Sequence, residues 1–190
     1  AVAFAPDGTV VTTTGTRTSN EVSITRAGQT KTIAIPAING TWISSPSISA
    51  DGTRVAVRRV RSKDNASDEL IEIDRAGAVT VTVQPSTVIA FAEDGLVVAS
   101  PGGALHRRTA KGVTKIGDHG GEITAIAVAG DLVAAGGADG AITLWALSQS
   151  APLGRLTGHP ARIQGLAFAP DGFHLASGAD DATRIWDLSP

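Results

Sequence analysis

One repeated turn constrains this chain more than any other feature. The stretch AVAFAPDG at 1–8 recurs as PSISADG at 46–52, VIAFAEDG at 88–95, AIAVAGD at 125–131 and GLAFAPDG at 165–172, which puts the turn aspartate at 7, 51, 94, 131 and 171. The intervals of 44, 43, 37 and 40 residues are each near the length of one four-stranded unit. Every unit opens on an alternating or small-apolar run, turns on Asp-Gly or its like, and continues in a β-rich run such as TVVTTT, TRVAVRRV or HLASG. Gly reaches positive φ without steric cost and the Asp side chain bonds back to its own turn, so the pair predicts a tight hairpin.

Third strands then read as VSITR, LIEID, ALHRRT, AITLWAL and ATRIWDL, and fourth strands as TKTIAI, AVTVTV and PLGRLTG. No segment keeps a helical period over about ten residues. Short strands at even spacing admit a sandwich, an open barrel or a propeller, and units that cannot bury their apolar faces alone but recur in series favour the propeller. The expected fold class is all-β, a β-propeller of about five four-stranded blades. One domain is expected, with approximate repeats 1–35, 36–83, 84–117, 118–157 and 158–190.

Composition narrows the chemistry. The 190 residues are 42% hydrophobic, enough for one compact domain or a stack of units sharing a core. The absence of Cys removes disulfides, a thiol nucleophile and Cys-ligated zinc together. Sixteen Lys and Arg against eighteen Asp and Glu give a net charge of -2, which argues against nucleic-acid binding by phosphate neutralisation. No run approaches the roughly 18 apolar residues of a membrane helix, so no membrane partner is expected. A cytoplasmic location is favoured, although the start at Ala1 in a chain without Met implies that the native start, and any leader, is missing.

The last two units resemble WD repeats. The final unit carries Gly158-His159, the strand IQGLAFAPDG, then HLASGAD and TRIWDL, ending on Trp186-Asp187; the preceding one has Asp118-His119, GGADG at 136–140 and Trp145-Ala146. Units one to three keep the turn and strand pattern without Gly-His or Trp-Asp, and there the likeness is to β-propellers in general. In the family, a His before the first strand, a Ser or Thr of the second, the Asp of the next turn and the third-strand Trp form one hydrogen-bonded chain. The resemblance implies His159, Ser177, Asp180 and Trp186 for that chain. Asp181 is the alternative to Asp180, because this turn is one residue short of the common pattern; alignment with Asp139 through Gly-Ala-Asp favours Asp180. In the fourth unit His119, Asp139 and Trp145 match, and Gly136 stands where Ser would be, which implies a shortened chain.

The same Ser, His and Asp invite a hydrolase reading. A nucleophile needs an open cleft and an oxyanion site, whereas a second-strand Ser inside a blade is buried, so a structural role is expected. The Gly-x-Ser-x-Gly elbow, the phosphate-binding loop and His-Glu-x-x-His are missing. His106 and His174 have no second ligand at metal spacing, so no metal and no cofactor is expected. Asn39 and Asn65 open Asn-x-Ser/Thr triplets, which would accept glycans only on an exported chain.

The resemblance implies a non-catalytic protein-interaction scaffold whose partners dock on loops before the first strand and between the second and third. By position these are Glu122, Thr124, Arg162 and Gln164. The basic run RRVRSK at 58–63 meets the acidic DNASDE at 64–69. It reads either as a solvated hairpin tip whose opposite charges pair across it or as a recognition loop using Arg58, Arg59 and Arg61. The expected partners are other proteins or peptides. Alternatives are a ligand- or peptide-sensing propeller of a larger bacterial regulator carrying an NTPase, kinase or protease, to which the Ala-, Gly- and Arg-rich, Lys-poor composition points, and a propeller hydrolase. Entry at a first strand and exit at a third predict nineteen strands. That is either a five-bladed ring with one three-stranded blade or, as favoured here, a C-terminal part of a seven-bladed ring, whose open edges would self-associate.

Overall fold

The computed structural model describes residues 1–15, 19–38, 40–44, 46–61, 68–149 and 151–190; the side chain of Arg61 lies outside the description. Among the described residues there are strands and turns and no helix. The chain divides into two compact units, Ala1–Glu93 and Asp94–Pro190.

The first unit begins with a four-stranded antiparallel meander, β1 (Val2–Phe4), β2 (Val10–Gly15), β3 (Asn20–Arg26) and β4 (Gln29–Ile35). The β3–β4 turn is the two-residue Ala27-Gly28, with φ of 49° and 77°. Positive φ at both positions gives the turn that matches strand twist, and Ala27 is the one non-glycine residue with positive φ among those described. The second blade comprises β5 (Thr41–Ile43), β6 (Ser47–Ile48), β7 (Val55–Arg61), β8 (Glu69–Ile73) and β9 (Val79–Val83), and β10 (Val88–Ala92) ends the unit. Both β5 and β6 pair with β7, so the expected first strand is split in two, which raises the strand count of the described residues to twenty. Pro46 lies within the break; it has no N–H to give to a ladder.

Apolar alternation on these strands builds the core between the two blades. Val11, Val22, Ile33 and Ile35 of the first meet Ile43, Val55, Val57, Ile71 and Ile73 of the second. Burying an aliphatic side chain of this size contributes about 1.5–3 kcal/mol, so this layer holds the blades together.

The second unit holds β11 (Gly95–Ala99), β12 (Ala104–Thr109) and β13 (Gly112–Asp118), then the meander β14 (Ile123–Ala129), β15 (Leu132–Gly137), β16 (Ile142–Ala146) and β17 (Pro152–Leu156). The three-stranded β18 (Ile163–Phe168), β19 (His174–Ala179) and β20 (Thr183–Asp187) follow. Ala125, Ala134, Ile142 and Leu144 pack on Ile163 and Leu175 as the core between the last two sheets.

The repeated aspartate serves two purposes. Asp7, Asp51 and Asp171 accept the backbone N–H two residues on, from Thr9 (2.8 Å), Thr53 (3.0 Å) and Phe173 (2.8 Å). Gly8, Gly52 and Gly172 beside them take positive φ. Asp94 and Asp131 reach across their sheets instead, to Arg107 at 2.7 Å and to the Ser148 N–H at 3.0 Å.

Candidate functional site

The polar residues of the last sheet form a directed chain. The Trp186 indole Nε1–H donates to Ser177 Oγ at 2.8 Å, and Ser177 Oγ lies 2.7 Å from His159 Nε2. His159 Nδ1 lies 2.8 Å from Asp181 Oδ1. A carboxylate only accepts and an indole only donates, so the protons of a neutral imidazole chain run one way: Trp186 to Ser177, Ser177 to His159, His159 to Asp181. The imidazole edge also meets the Trp186 ring, with centroids 6.1 Å apart. Arg184 closes the outer end, its Nη2 donating to Asp181 Oδ2 at 3.0 Å. Burial opposes the Asp181 charge, yet the hydrogen bonds from His159 and Arg184 hold its carboxyl below the usual range.

The distances are those of a Ser-His-Asp triad, but the setting differs. Ser177 is 1% exposed and His159 5%. The hydroxyl is fixed between an indole donor and an imidazole, deep in a sheet, where a substrate carbonyl has no approach.

The fourth sheet has a related network with another composition. His119 Nε2 lies 3.2 Å from Asp139 Oδ1, and His119 Nδ1 lies 3.0 Å from Thr143 Oγ1. The ring thus turns its Nε2 to the carboxylate, where His159 turns its Nδ1. Arg155, paired with Thr143 across β16 and β17, gathers the rest: it donates to the His119 carbonyl (3.1 Å), Thr143 Oγ1 (3.2 Å) and Asp139 Oδ2 (2.5 Å). Burial works against the Asp139 charge, while the Ala141 N–H, His119 and Arg155 hold its carboxyl low. Trp145 is buried with its indole against Gly117, where any Cβ would collide with the ring. Thr143, Arg155 and Arg184 escaped the sequence reading. The signal for Thr143 and Arg184 was present, since both stand two residues before the third-strand Trp.

Two expectations are corrected. The chain closes on Asp181 and not on Asp180, whose carboxylate instead accepts from the Gln164 amide. The residue matching Ser177 is Ala135 and not Gly136, because Ser177 pairs with Leu166 and Arg184 where Ala135 pairs with Ile126 and Thr143. Both errors share one cause. Gly136 to Ile142 encloses five turn residues and Gly178 to Thr183 four, and the missing residue lies after the aspartate, so matching through Gly-Ala-Asp slips the register by one.

The partner candidates separate into exposed and occupied groups. Glu122 and Arg162, at the starts of β14 and β18, are about half exposed, 50% and 55% by side chain, and lie 3.5 Å apart. Gln164 is exposed beside them. Thr124 is half-buried, and its hydroxyl reaches the Ile163 carbonyl of the next sheet at 2.5 Å, so it ties two blades together.

Arg58 and Arg59 are not on a solvated tip. Arg58 pairs with the fully buried Asp68 at 2.9 Å and donates to the Thr87 carbonyl; Arg59 pairs with Glu69 at 2.5 Å and donates to Pro36 O at 3.0 Å. They tether the loops on either side of the second blade. The side chain of Arg61, the loop at 62–67 with Asn65, and Asn39 lie outside the described residues.

His174 is half exposed and bonded to Asp171 at 2.6 Å, a hydrogen bond and a charge that raise its pKa. His106 lies 3.3 Å from Ser100 Oγ, and burial, with Lys115 nearby, lowers its pKa. Among the described residues no group of three or more His, Asp or Glu is placed to hold a metal.

Comparison with known proteins agrees with this geometry. The family model described as WD domain, G-beta repeat matches residues 111–146 and 150–187. The small ribosomal subunit protein RACK1y of Oryza sativa subsp. japonica is 39% identical over 77 residues, 40% of this chain and 23% of that protein. The periodic tryptophan protein 2 homolog of Neurospora crassa is 42% identical over 66 residues, 34% of this chain and 7% of that protein. The chain thus spans less than a quarter of the length of these curated relatives.

Among solved structures, a chain of the mitotic checkpoint complex superposes with a TM-score of 0.79 at 20% identity, over 98% of this chain and 59% of that one. The computationally designed Ika4 protein gives 0.63 at 20% identity, over 80% of this chain and 94% of that one. These two show likeness of fold alone. With two matched repeats, the hydrogen-bonded His and Asp in each, the Trp186 bond in the last and successive antiparallel sheets, residues 111–187 are WD repeats and the chain as a whole resembles the WD-repeat β-propellers.

Proposed function

We propose that this chain is a non-catalytic protein-interaction scaffold, and that its last two blades present the docking surface on the loops leading into β14 and β18. One observation carries the reading: Ser177, His159 and His119 are closed into buried networks, while Glu122, Arg162 and Gln164 on the same two sheets face solvent. The Glu122–Arg162 contact spans two blades with both side chains half exposed. A pair of this kind contributes about 0–1 kcal/mol to stability, so both charges are available to a partner at little cost to the fold. A rigid sheet holding solvated side chains on adjacent loops is the usual arrangement of a binding surface.

The test is charge reversal. Arg162→Glu and Glu122→Arg are compared with the unaltered chain in quantitative affinity capture, with Lys111→Glu on the β12–β13 turn as the control. Partners lost on the first two and kept on the third support the reading. Identical capture by all four, or ester hydrolysis that Ser177→Ala abolishes in a folded protein, overturns it.

A further inference from the structure

The first unit contains a cleft of about 380 Å³ between its two blades, where three turns meet: Arg26 to Gln29, Gly52-Thr53, and Asp74 to Gly77. These join first to second or third to fourth strands, so the cleft opens at the end of the sheets away from the loops that link one blade to the next. Its volume lies in the usual range of small-molecule sites, about 300–1,000 Å³.

The floor is apolar. Ile33 and Val55 are buried there and Ile24 is half-buried. The rim is cationic, and its cations are positioned mainly by backbone carbonyls and a hydroxyl. Arg26 Nε donates to Thr9 Oγ1 at 3.1 Å and its Nη2 to the Gly52 carbonyl. Lys31 Nζ donates to Ala76 O at 2.5 Å and lies across Gly77, where a Cβ would meet it. Arg75 is exposed at the tip of the β8–β9 turn and makes no hydrogen bond or ion pair among the described residues.

The carboxylate in the lining, Asp74, accepts the Ala78 N–H at 2.8 Å within its own turn; Asp7, outside the lining, is 3.9 Å from Arg26. Three cations against one carboxylate leave the lining itself with a positive surplus, and Asp7 and Asp51 stand just outside it. Donors of a guanidinium and an ammonium above an aliphatic floor recognise an anionic head and an apolar body together.

We propose that this cleft binds an organic anion, a carboxylate or phosphate carried on a small apolar body. The head group sits at Arg26, Lys31 and Arg75 and the body lies over Ile24, Ile33 and Val55.

The experiment titrates the full chain with phenyl phosphate, phenylacetate, inorganic phosphate and benzyl alcohol, read by calorimetry and by amide shifts at Ala27, Gly52 and Gly77. At least one of the two aromatic anions saturates the site, about tenfold tighter than inorganic phosphate and benzyl alcohol. The tighter of the two identifies the preferred head group. Arg75→Glu, which is exposed and keeps the wild-type circular dichroism, weakens it by about tenfold or more, and added salt weakens it further. No saturable binding, inorganic phosphate matching phenyl phosphate, or wild-type affinity in Arg75→Glu each overturns the proposal. Because the docking surface proposed above is on the other unit, failure here leaves that reading untouched, and the reverse holds.

Discussion

Trp186 and Ser177 stand on adjacent strands of the last blade, and the indole N–H of one donates to the hydroxyl oxygen of the other at 2.8 Å. That bond occupies a lone pair of Ser177 and leaves the hydroxyl proton for His159, so the serine relays the direction that the indole imposes. Ser177→Ala strands a buried imidazole nitrogen and an indole N–H. It lowers unfolding free energy by about 1–3 kcal/mol in urea titration followed by tryptophan fluorescence, and leaves partner capture unchanged.

Asp181 and Asp180 are neighbours in sequence with opposite expected effects. The folded pKa of Asp181 is depressed, so its contribution is present above the unfolded value, about 3.9, and is lost as pH falls through the lower folded value. Asp181→Asn lowers Tm at pH 7 and flattens the drop in Tm between pH 5 and pH 3 expected of the unaltered chain, whereas Asp180→Asn changes stability by no more than about 0.5 kcal/mol. Thermal melts across that range measure both.

Placing serine where a Gly-Ala-Asp match would put it fails for a steric reason. A Cβ at Gly136 would stand 2.8 Å from Ile163 Cβ, in the core between the last two blades. Gly136→Ser destabilises by about 1–3 kcal/mol as an overpacked core does, and does not extend the His119 network. A crystal structure or a denaturation curve of the variant distinguishes this from a gain.

Arg58 and Asp68 form a buried pair, and their coupling is measurable. Arg58→Met removes the guanidinium from the fully buried Asp68 and costs about 3–5 kcal/mol, whereas Arg58→Met with Asp68→Leu recovers much of that loss. A double-mutant cycle by chemical denaturation reads the difference. Additive single effects would place Arg58 outside the role given to it here.

The strand order was legible because the turn aspartates recur at near-constant intervals and the apolar alternation between them has period two. Identifying which aspartate caps His159 depended on where a turn drops one residue, which only the ladder pairing of Ser177 with Arg184 and Leu166 reveals. The pairing of Arg58 and Arg59 with the acidic run was legible and their burial was not, because the carbonyls of Pro36 and Thr87 that also hold them come from loops that folding brings alongside. Arg155 was invisible for the same reason. It lies on a fourth strand, twelve residues from the threonine it completes.

The two networks take their cation from different strands. In the fourth blade Arg155 comes from the outermost strand, so stripping that strand away would unbalance Asp139 as well as expose the sheet. In the last blade Arg184 comes from β20 itself, and Asp181 is balanced within three strands. This blade is therefore electrostatically self-sufficient. A strand added along β20 would contribute backbone hydrogen bonds and side-chain packing but no missing charge, which leaves the sequence of such a strand far less constrained than that of β17.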